Sequence, residues 1–289
     1  MEKSITQVIK YFSIFKYPPN FDEIYSFFPK KTSRKALKKA ILEMEHQKKI
    51  KTIYETSLVE LRGQRYTMGE YTAREYAKSL NERRQISEKK LNGWRFRAYL
   101  KLVSLLPQVR LIGLSGSISM LNAKASDDID LFIITSKKRL FTSRFLCLLL
   151  TQVFGLRRKY GEREVKNKVC LNLFFDESNL VVPKHKRTNF VGHEVMQMKP
   201  LVNKNQAYER FIKANSWVFK LFPNSKSDIS HAVTRTLIKS TIVGDLIEVV
   251  LKYVETILIN SHKTNELITD TQLWFHPDDF EKKINGKIK

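Results

Sequence analysis

The sequence predicts an α/β (α+β) protein, a small mixed sheet flanked by helices, with a smaller domain in front and a helical domain behind. Three observations lead there. An apolar run, Val109 to Leu114, and a second, Leu131 to Ile134, have strand length, and the second is apolar on both faces, as in a covered sheet. A helical stretch, Arg139 to Phe154, then precedes a third strand candidate, Val169 to Phe175. Helical periodicity dominates the segments on either side. The expected division is 1–70, an N-terminal domain; 71–107, connecting helices; 108–183, the α/β core; and 184–289, a C-terminal helical domain.

The elements follow in order. Residues 4 to 15 put Ile5, Val8, Ile9 and Phe12 on one face of a helix, and Pro18 and Pro19 break it. Asn20 or Asp22 can cap a short second helix, and Ser33 a third that turns Leu37, Ile41 and Met44 inward and Arg34, Lys35, Lys38 and Lys39 outward. Two β-like runs follow, Ile50 to Tyr54 and Gln64 to Met68, with Arg62-Gly63 as the turn. Three helices and a basic-fringed hairpin resemble a winged helix-turn-helix. The resemblance implies a third helix that enters a DNA groove, although such domains also bind proteins. From Thr72 to Leu106 the chain reads as helical, interrupted at Asn92-Gly93, with Trp94, Phe96, Tyr99 and Leu102 expected in the core. Residues 190 to 260 also read as helices. His193, Met196 and Gln197 open one, and Tyr208, Phe211, Trp217 and Phe219 supply aromatic core. Ile242 to Ile259 forms a long amphipathic stretch.

The charge balance is unusual. Against 29 Asp and Glu stand 52 Lys and Arg, a formal net charge of +23. Such an excess favours a polyanionic partner, either nucleic acid or an anionic membrane surface. Cys147 and Cys170 have no metal-ligand spacing and form no disulfide framework. The N-terminal residues lack the apolar core of a signal peptide, and the most apolar run, Phe145 to Leu150, is too short to span a bilayer. A soluble, cytoplasmic protein without a membrane association is therefore expected.

Chemistry concentrates in Leu111-Ile-Gly-Leu-Ser-Gly-Ser117, a spacer of ten residues, and Asp128-Ile-Asp-Leu-Phe-Ile-Ile-Thr135. The first strand runs into Gly116-Ser117, where glycine lets the backbone approach a ligand closely. A helical turn from Ile118 to Ala123 would follow, and its free N–H groups with the Ser117 hydroxyl would cradle phosphate. Asp128 and Asp130, two residues apart at a strand start, share a face, so the two carboxylates repel unless a cation neutralises them. Mg²⁺ or Mn²⁺, hard cations with oxygen ligands, would do so and would bridge the phosphates of a nucleotide. A turn over Ser126 to Asp128 accounts for Asp127 but leaves Asp130 unexplained inside an apolar run.

Gly116-Ser117, the spacer and Asp128-Ile129-Asp130 resemble the signature of the DNA polymerase beta-like nucleotidyltransferase superfamily, over roughly residues 108 to 180. The resemblance implies transfer of a nucleoside monophosphate from an NTP to an acceptor. In this role Asp128 and Asp130 would bind metal and act in catalysis, and Gly116 and Ser117 would bind the triphosphate. Many members add a third carboxylate on a following strand, and here its expected place is held by Asn172, which offers a carbonyl oxygen but no charge. Asp176 lies on the same face, two strand repeats further on. Asn172 could be a weaker ligand in a two-aspartate enzyme, the acceptor could supply the missing group, or the core could have lost catalysis and kept nucleotide binding. The rival function is a non-catalytic nucleic-acid-binding or regulatory protein on a degenerate nucleotidyltransferase fold.

Basic clusters at Arg157, Arg158, Lys159, Arg163, Lys166 and Lys168, and at Lys184 to Arg187, could hold pyrophosphate or a nucleic-acid backbone, or be solvated loops. In the tail, His276, Asp278 and Asp279 suit a helix cap better than a metal. The acceptor stays open among RNA, DNA, protein and a small molecule, the last least suited to so basic a chain.

Overall fold

The chain opens with three helices, α1 (Glu2–Ile14), α2 (Phe21–Ser26) and α3 (Arg34–His46), and an antiparallel hairpin of β1 (Lys51–Ile53) and β2 (Arg65–Thr67). The computed structural model describes residues 1–53, 65–68, 73–158, 162, 164–225, 241–260, 267–275 and 284, with only the backbone described at 73–76 and 260. The expected hairpin turn at Arg62-Gly63 and the tail residues His276, Asp278 and Asp279 lie outside the described residues. Asn20 starts α2 with a reciprocal capping box: its Oδ1 accepts from the Glu23 amide at 2.8 Å, and its own amide donates to Glu23 Oε2 at 2.7 Å. Ser33 Oγ caps α3 by accepting from the Ala36 amide at 3.1 Å. Leu37, Ile41 and Met44 are buried, and the Arg34, Lys35, Lys38 and Lys39 face is exposed, as their period dictates.

Two helices follow, α4 (Ala73–Asn92) and α5 (Trp94–Leu105), separated at Gly93. Phe96, Tyr99 and Val103 share the buried face of α5. Trp94 and Leu102, expected inside, are 70% and 40% exposed, because at 3.6 residues per turn they fall off that face.

The core then runs β3 (Val109–Leu114), α6 (Gly116–Ser119), β4 (Ile129–Thr135), α7 (Leu140–Val153), β5 (Val169–Asp176), α8 (Asn189–Gln197) and β6 (Lys199–Asn203). It continues through α9 (Ala207–Ala214), α10 (Val218–Leu221), α11 (Ile242–Asn260), β7 (Leu267–Ile268) and β8 (Gln272–Trp274). Six strands pair in the order β6-β3-β4-β5-β8-β7. Only β4 and β5 are parallel, joined by the α7 crossover; the other neighbours are antiparallel. The sheet is thus mixed and flanked by helices. The reading of 190 to 260 as helical is corrected at β6: Lys199 to Asn203 is short and largely exposed with no alternating apolar pattern to mark a strand, and backbone pairing to the edge of β3 makes it one. Likewise α8 starts at Asn189, capped by Thr188, so His193 lies in its middle and Gln197 ends it.

Alternation along the strands feeds two cores. Leu111, Phe132, Ile134 and Phe175 face α8, α9 and the N-terminal helices. Ile112, Leu114, Leu131, Ile133 and Phe174 face α5 and α7. Asp130 is two residues before Phe132 and so emerges on the first of these faces. The N-terminal helices belong to that same core, and the His193 ring of α8 stacks between Tyr11 at 3.7 Å and Phe27 at 4.2 Å. No helix among the described residues is long and apolar enough to cross a membrane.

Candidate metal and phosphate site

Because β3 is antiparallel to β4 and β4 parallel to β5, the C-terminal end of β3 and the N-terminal ends of β4 and β5 meet at one edge. Gly116, Ser117, Asp128, Asp130 and Asn172 all lie there. The Ser115 amide extends the ladder to the Asp130 carbonyl at 3.1 Å. Gly116 then turns the chain with φ of +62°, and a Cβ there would stand 2.6 Å from Asp130 Oδ2. Only glycine fits, both for the left-handed backbone and for the close approach. The helical turn after it is shorter than expected. It closes at Ser119, and Leu121, at φ +54°, leads the chain away.

Two groups of the expected phosphate cradle, the Gly116 amide and the Ser117 hydroxyl, have internal partners. The Gly116 amide donates to Glu194 Oε2 of α8 at 3.1 Å. Ser117 Oγ donates to Asp127 Oδ2 at 3.3 Å, and the same oxygen accepts from the Lys124 amide at 2.8 Å. Asp127 is therefore a turn residue.

The two carboxylates lie close together at the start of β4. One oxygen each from Asp128 and Asp130 and the Cys170 sulfur lie within 4.8 Å of one another, a set able to hold a metal ion. Asp128 Oδ2 accepts from Arg158 at 2.7 Å, and the same guanidinium nitrogen reaches Cys170 Sγ at 3.2 Å. Asn172 Nδ2 donates to Asp130 Oδ1. Burial pushes the Asp130 carboxyl up to about 7, with the charges of Asp128 and Glu194 adding to the effect. Burial also raises Glu194 and the Cys170 thiol. Two hard oxygens and a sulfur at this spacing suit a divalent cation, and such an ion would offset the burial and the added repulsion that raise Asp130.

Asn172, at the expected third position, is a neighbour of the pair. It is the residue skipped where the register of β5 slips against β4, and Cys170 lies directly opposite Asp130. The same-face logic that selects Asn172 also selects Cys170, two residues nearer the strand start, and sequence reasoning passed it over. Asp176 is not part of the site: it accepts from the Lys138 and Ser178 amides at the far end of β5.

Two further residues went unseen. Glu194 follows the buried His193 within an apolar helix face, and an acid in that position is the signal that could have found it. Lys90 of α4 donates to the carbonyls of Ala125 at 3.0 Å and Asp127 at 2.6 Å and to Asn167 Oδ1 at 3.1 Å. It fastens the loop that delivers Asp128, and burial lowers its pKa. Nothing in its local sequence marks it among so many lysines.

Of the basic clusters, Arg158 reaches the site. Arg187 instead donates to the Val182 carbonyl at 2.9 Å, a structural use. Compared with family models, with curated proteins and with solved structures, the chain matches none.

Proposed function

We propose that the chain is a nucleotidyltransferase that moves a nucleoside monophosphate from an NTP to an acceptor. An acceptor hydroxyl gives its proton to solvent as its oxygen forms a bond to the α-phosphorus, the bond from that phosphorus to the oxygen bridging to the β-phosphate breaks, and pyrophosphate leaves with the electron pair. Support comes from one convergence: Gly116, which only glycine can fill, is pressed against Asp130 beside Asp128 at the end of a buried strand. Asp128 and Asp130 would hold Mg²⁺ or Mn²⁺, with Cys170 and Asn172 beside them. When bound, such an ion supplies neutralisation of the triphosphate charge. Asn172 orients Asp130, Lys90 holds the Asp128 loop, and the Gly116 amide and Ser117 hydroxyl exchange their internal acceptors for phosphate oxygens.

The net charge of +23 favours RNA or DNA as acceptor. The N-terminal helices and hairpin, winged-helix-like in their order, would offer the exposed Lys35 and Lys38 of α3 to the backbone. Arg34 is already paired with Asp22. One observation favours a second reading, a non-catalytic nucleic-acid-binding or regulatory protein: Arg158 and Asn172 already satisfy the carboxylates without a metal.

Label transfer from α-labelled NTPs, with Mg²⁺ or Mn²⁺ and total RNA, separates the two. Metal-dependent label on an acceptor with pyrophosphate release, lost in Asp128→Ala, is expected. Nucleic-acid binding that survives Asp128→Ala, with no pyrophosphate under either metal, would select the second reading.

A further inference from the structure

The helix α11 is mounted by its charges and turns its apolar side outward. Its inner face carries acids: Glu248 accepts from the Phe141 and Thr142 amides at 2.8 Å each, at the start of α7. Glu255 pairs with Arg144 at 2.5 Å, and Asp245 pairs with Arg139 at 2.7 Å. Gly244 lets the Arg139 side chain pass, since a Cβ there would lie 2.6 Å from its guanidinium. An ordinary surface helix does the reverse and buries its apolar stripe.

On the outer face nine apolar side chains from Ile242 to Ile257 are between 44% and 90% exposed. They present on the order of 1,000 Å², above the few hundred expected of a monomer's surface. That area matches the roughly 800 Å² that each partner gives to a stable interface. Val243, Ile247, Val250, Val254 and Ile257 recur in alternating steps of four and three, the spacing of a coiled-coil seam. The charge of the helix argues against a lipid surface. Its ionic residues are three acids and Lys252, whereas an interfacial helix carries Lys and Arg on its polar face.

We propose that α11 is a dimerisation helix whose partner is α11 of a second copy of this chain. A seam of this kind is self-complementary across a twofold axis. The inward acids leave two strongly basic chains an uncharged surface on which to meet. The dimer is independent of the activity proposed for the strand-edge site.

The test is the mass of the full chain by light scattering after size exclusion, at about 10 µM. Twice 33.9 kDa is expected for the wild-type chain. Val250→Lys with Tyr253→Lys, and separately Ile257→Lys, should each give the mass of one chain with an unchanged circular dichroism spectrum. These side chains are 52%, 69% and 52% exposed, so the substitutions spare the fold of the monomer. A wild-type mass of one chain would overturn the proposal, as would a dimer that persists in both variants. A monomeric chain that floats with anionic vesicles, and ceases to when these residues become lysine, would overturn it in favour of lipid.

Discussion

Asp130→Asn should make the metal-free protein more stable, and the gain should depend on pH. The Asp130 carboxyl is raised from 3.8 to about 7, chiefly by burial and then by Asp128 and Glu194. At about 1.36 kcal/mol per unit that shift is worth roughly 4 kcal/mol, about half of which falls to Asp130 itself because Asp128 and Glu194 share the proton. The sign follows from proton binding. Between the two values the folded chain holds a proton that the unfolded chain has released, so stability falls as pH rises through this window and the full penalty stands above it. Asparagine keeps the shape and still accepts from Asn172, but carries no charge. The variant should therefore match the wild type near pH 4 and melt roughly 4–8 °C higher at pH 8, at about 2–4 °C per kcal/mol. Scanning calorimetry at both pH values in chelator reads this directly. Added Mn²⁺ at pH 8 should raise the wild type and leave the variant unmoved. Identical melting of the two proteins at pH 8 in chelator would refute the account of Asp130 as a strained, cation-seeking acid.

The other expectations concern its surroundings. Gly116→Ala should lower stability by about 2 kcal/mol, from left-handed strain plus displacement of Asp130, while Gly155→Ala, at φ +66° but with its nearest atom at 3.7 Å, should cost the strain alone. Comparing the two melts, and Mn²⁺ affinity in each, isolates the Asp130 contact. Lys90→Met removes the donor that ties Ala125, Asp127 and Asn167 together and should cost roughly 1–2 kcal/mol, with weaker Mn²⁺ binding by calorimetric titration because the Asp128 loop loosens. His193 is stacked and buried, which holds its pKa below 6.5. Its neutral form is then built into the fold, so its contribution is complete above about pH 6.5 and is lost as pH falls, by up to about 1.4 kcal/mol per unit. His193→Phe should flatten that part of the stability profile in denaturant titrations; an unchanged slope would show that His193 does not titrate against the fold.

What was legible in the chain followed from short-range physics. Capping at Asn20 and Ser33, the break at Gly93 and the strand starting beside Asp128 each depend on residues within a few positions, and the structure puts them there. The acids and the glycine turn converge because an apolar strand leads out to one and in from the other. Cys170 was within reach of the same-face logic, whereas the roles of Glu194 and Lys90 come from pairing between distant segments. Glu194 meets Gly116 across 78 residues, and Lys90 meets Asp127 across 37. The β6 strand was hidden for the same reason, since an exposed edge owes its conformation to backbone bonds with β3 rather than to an apolar pattern. The amphipathicity of α11 was visible, but which side faces inward was not: Glu248 and the amides that open α7 reverse it.

The internal partners of the site imitate the ligand it is proposed to take. A carboxylate, Glu194, occupies the Gly116 amide where a phosphate oxygen would bind, and a guanidinium, Arg158, occupies Asp128 where a metal ion would bind. An anion-seeking group and a cation-seeking group thus stand side by side, which is the demand of a metal-bound phosphate rather than of either alone. The cost of displacing the imitation is small on the cationic side. Arg158 is 44% exposed at its side chain, and an ion pair of that kind is worth about 1 kcal/mol or less. Its competition would weaken metal binding by no more than about fivefold. Arg158→Ala should therefore change Mn²⁺ affinity little, whereas Asn172→Asp, by adding a third carboxylate beside Asp130, should strengthen it severalfold and deepen the pH-dependent instability of the metal-free chain. If Asn172→Asp left both unchanged, the place beside Asp130 would not face the ion.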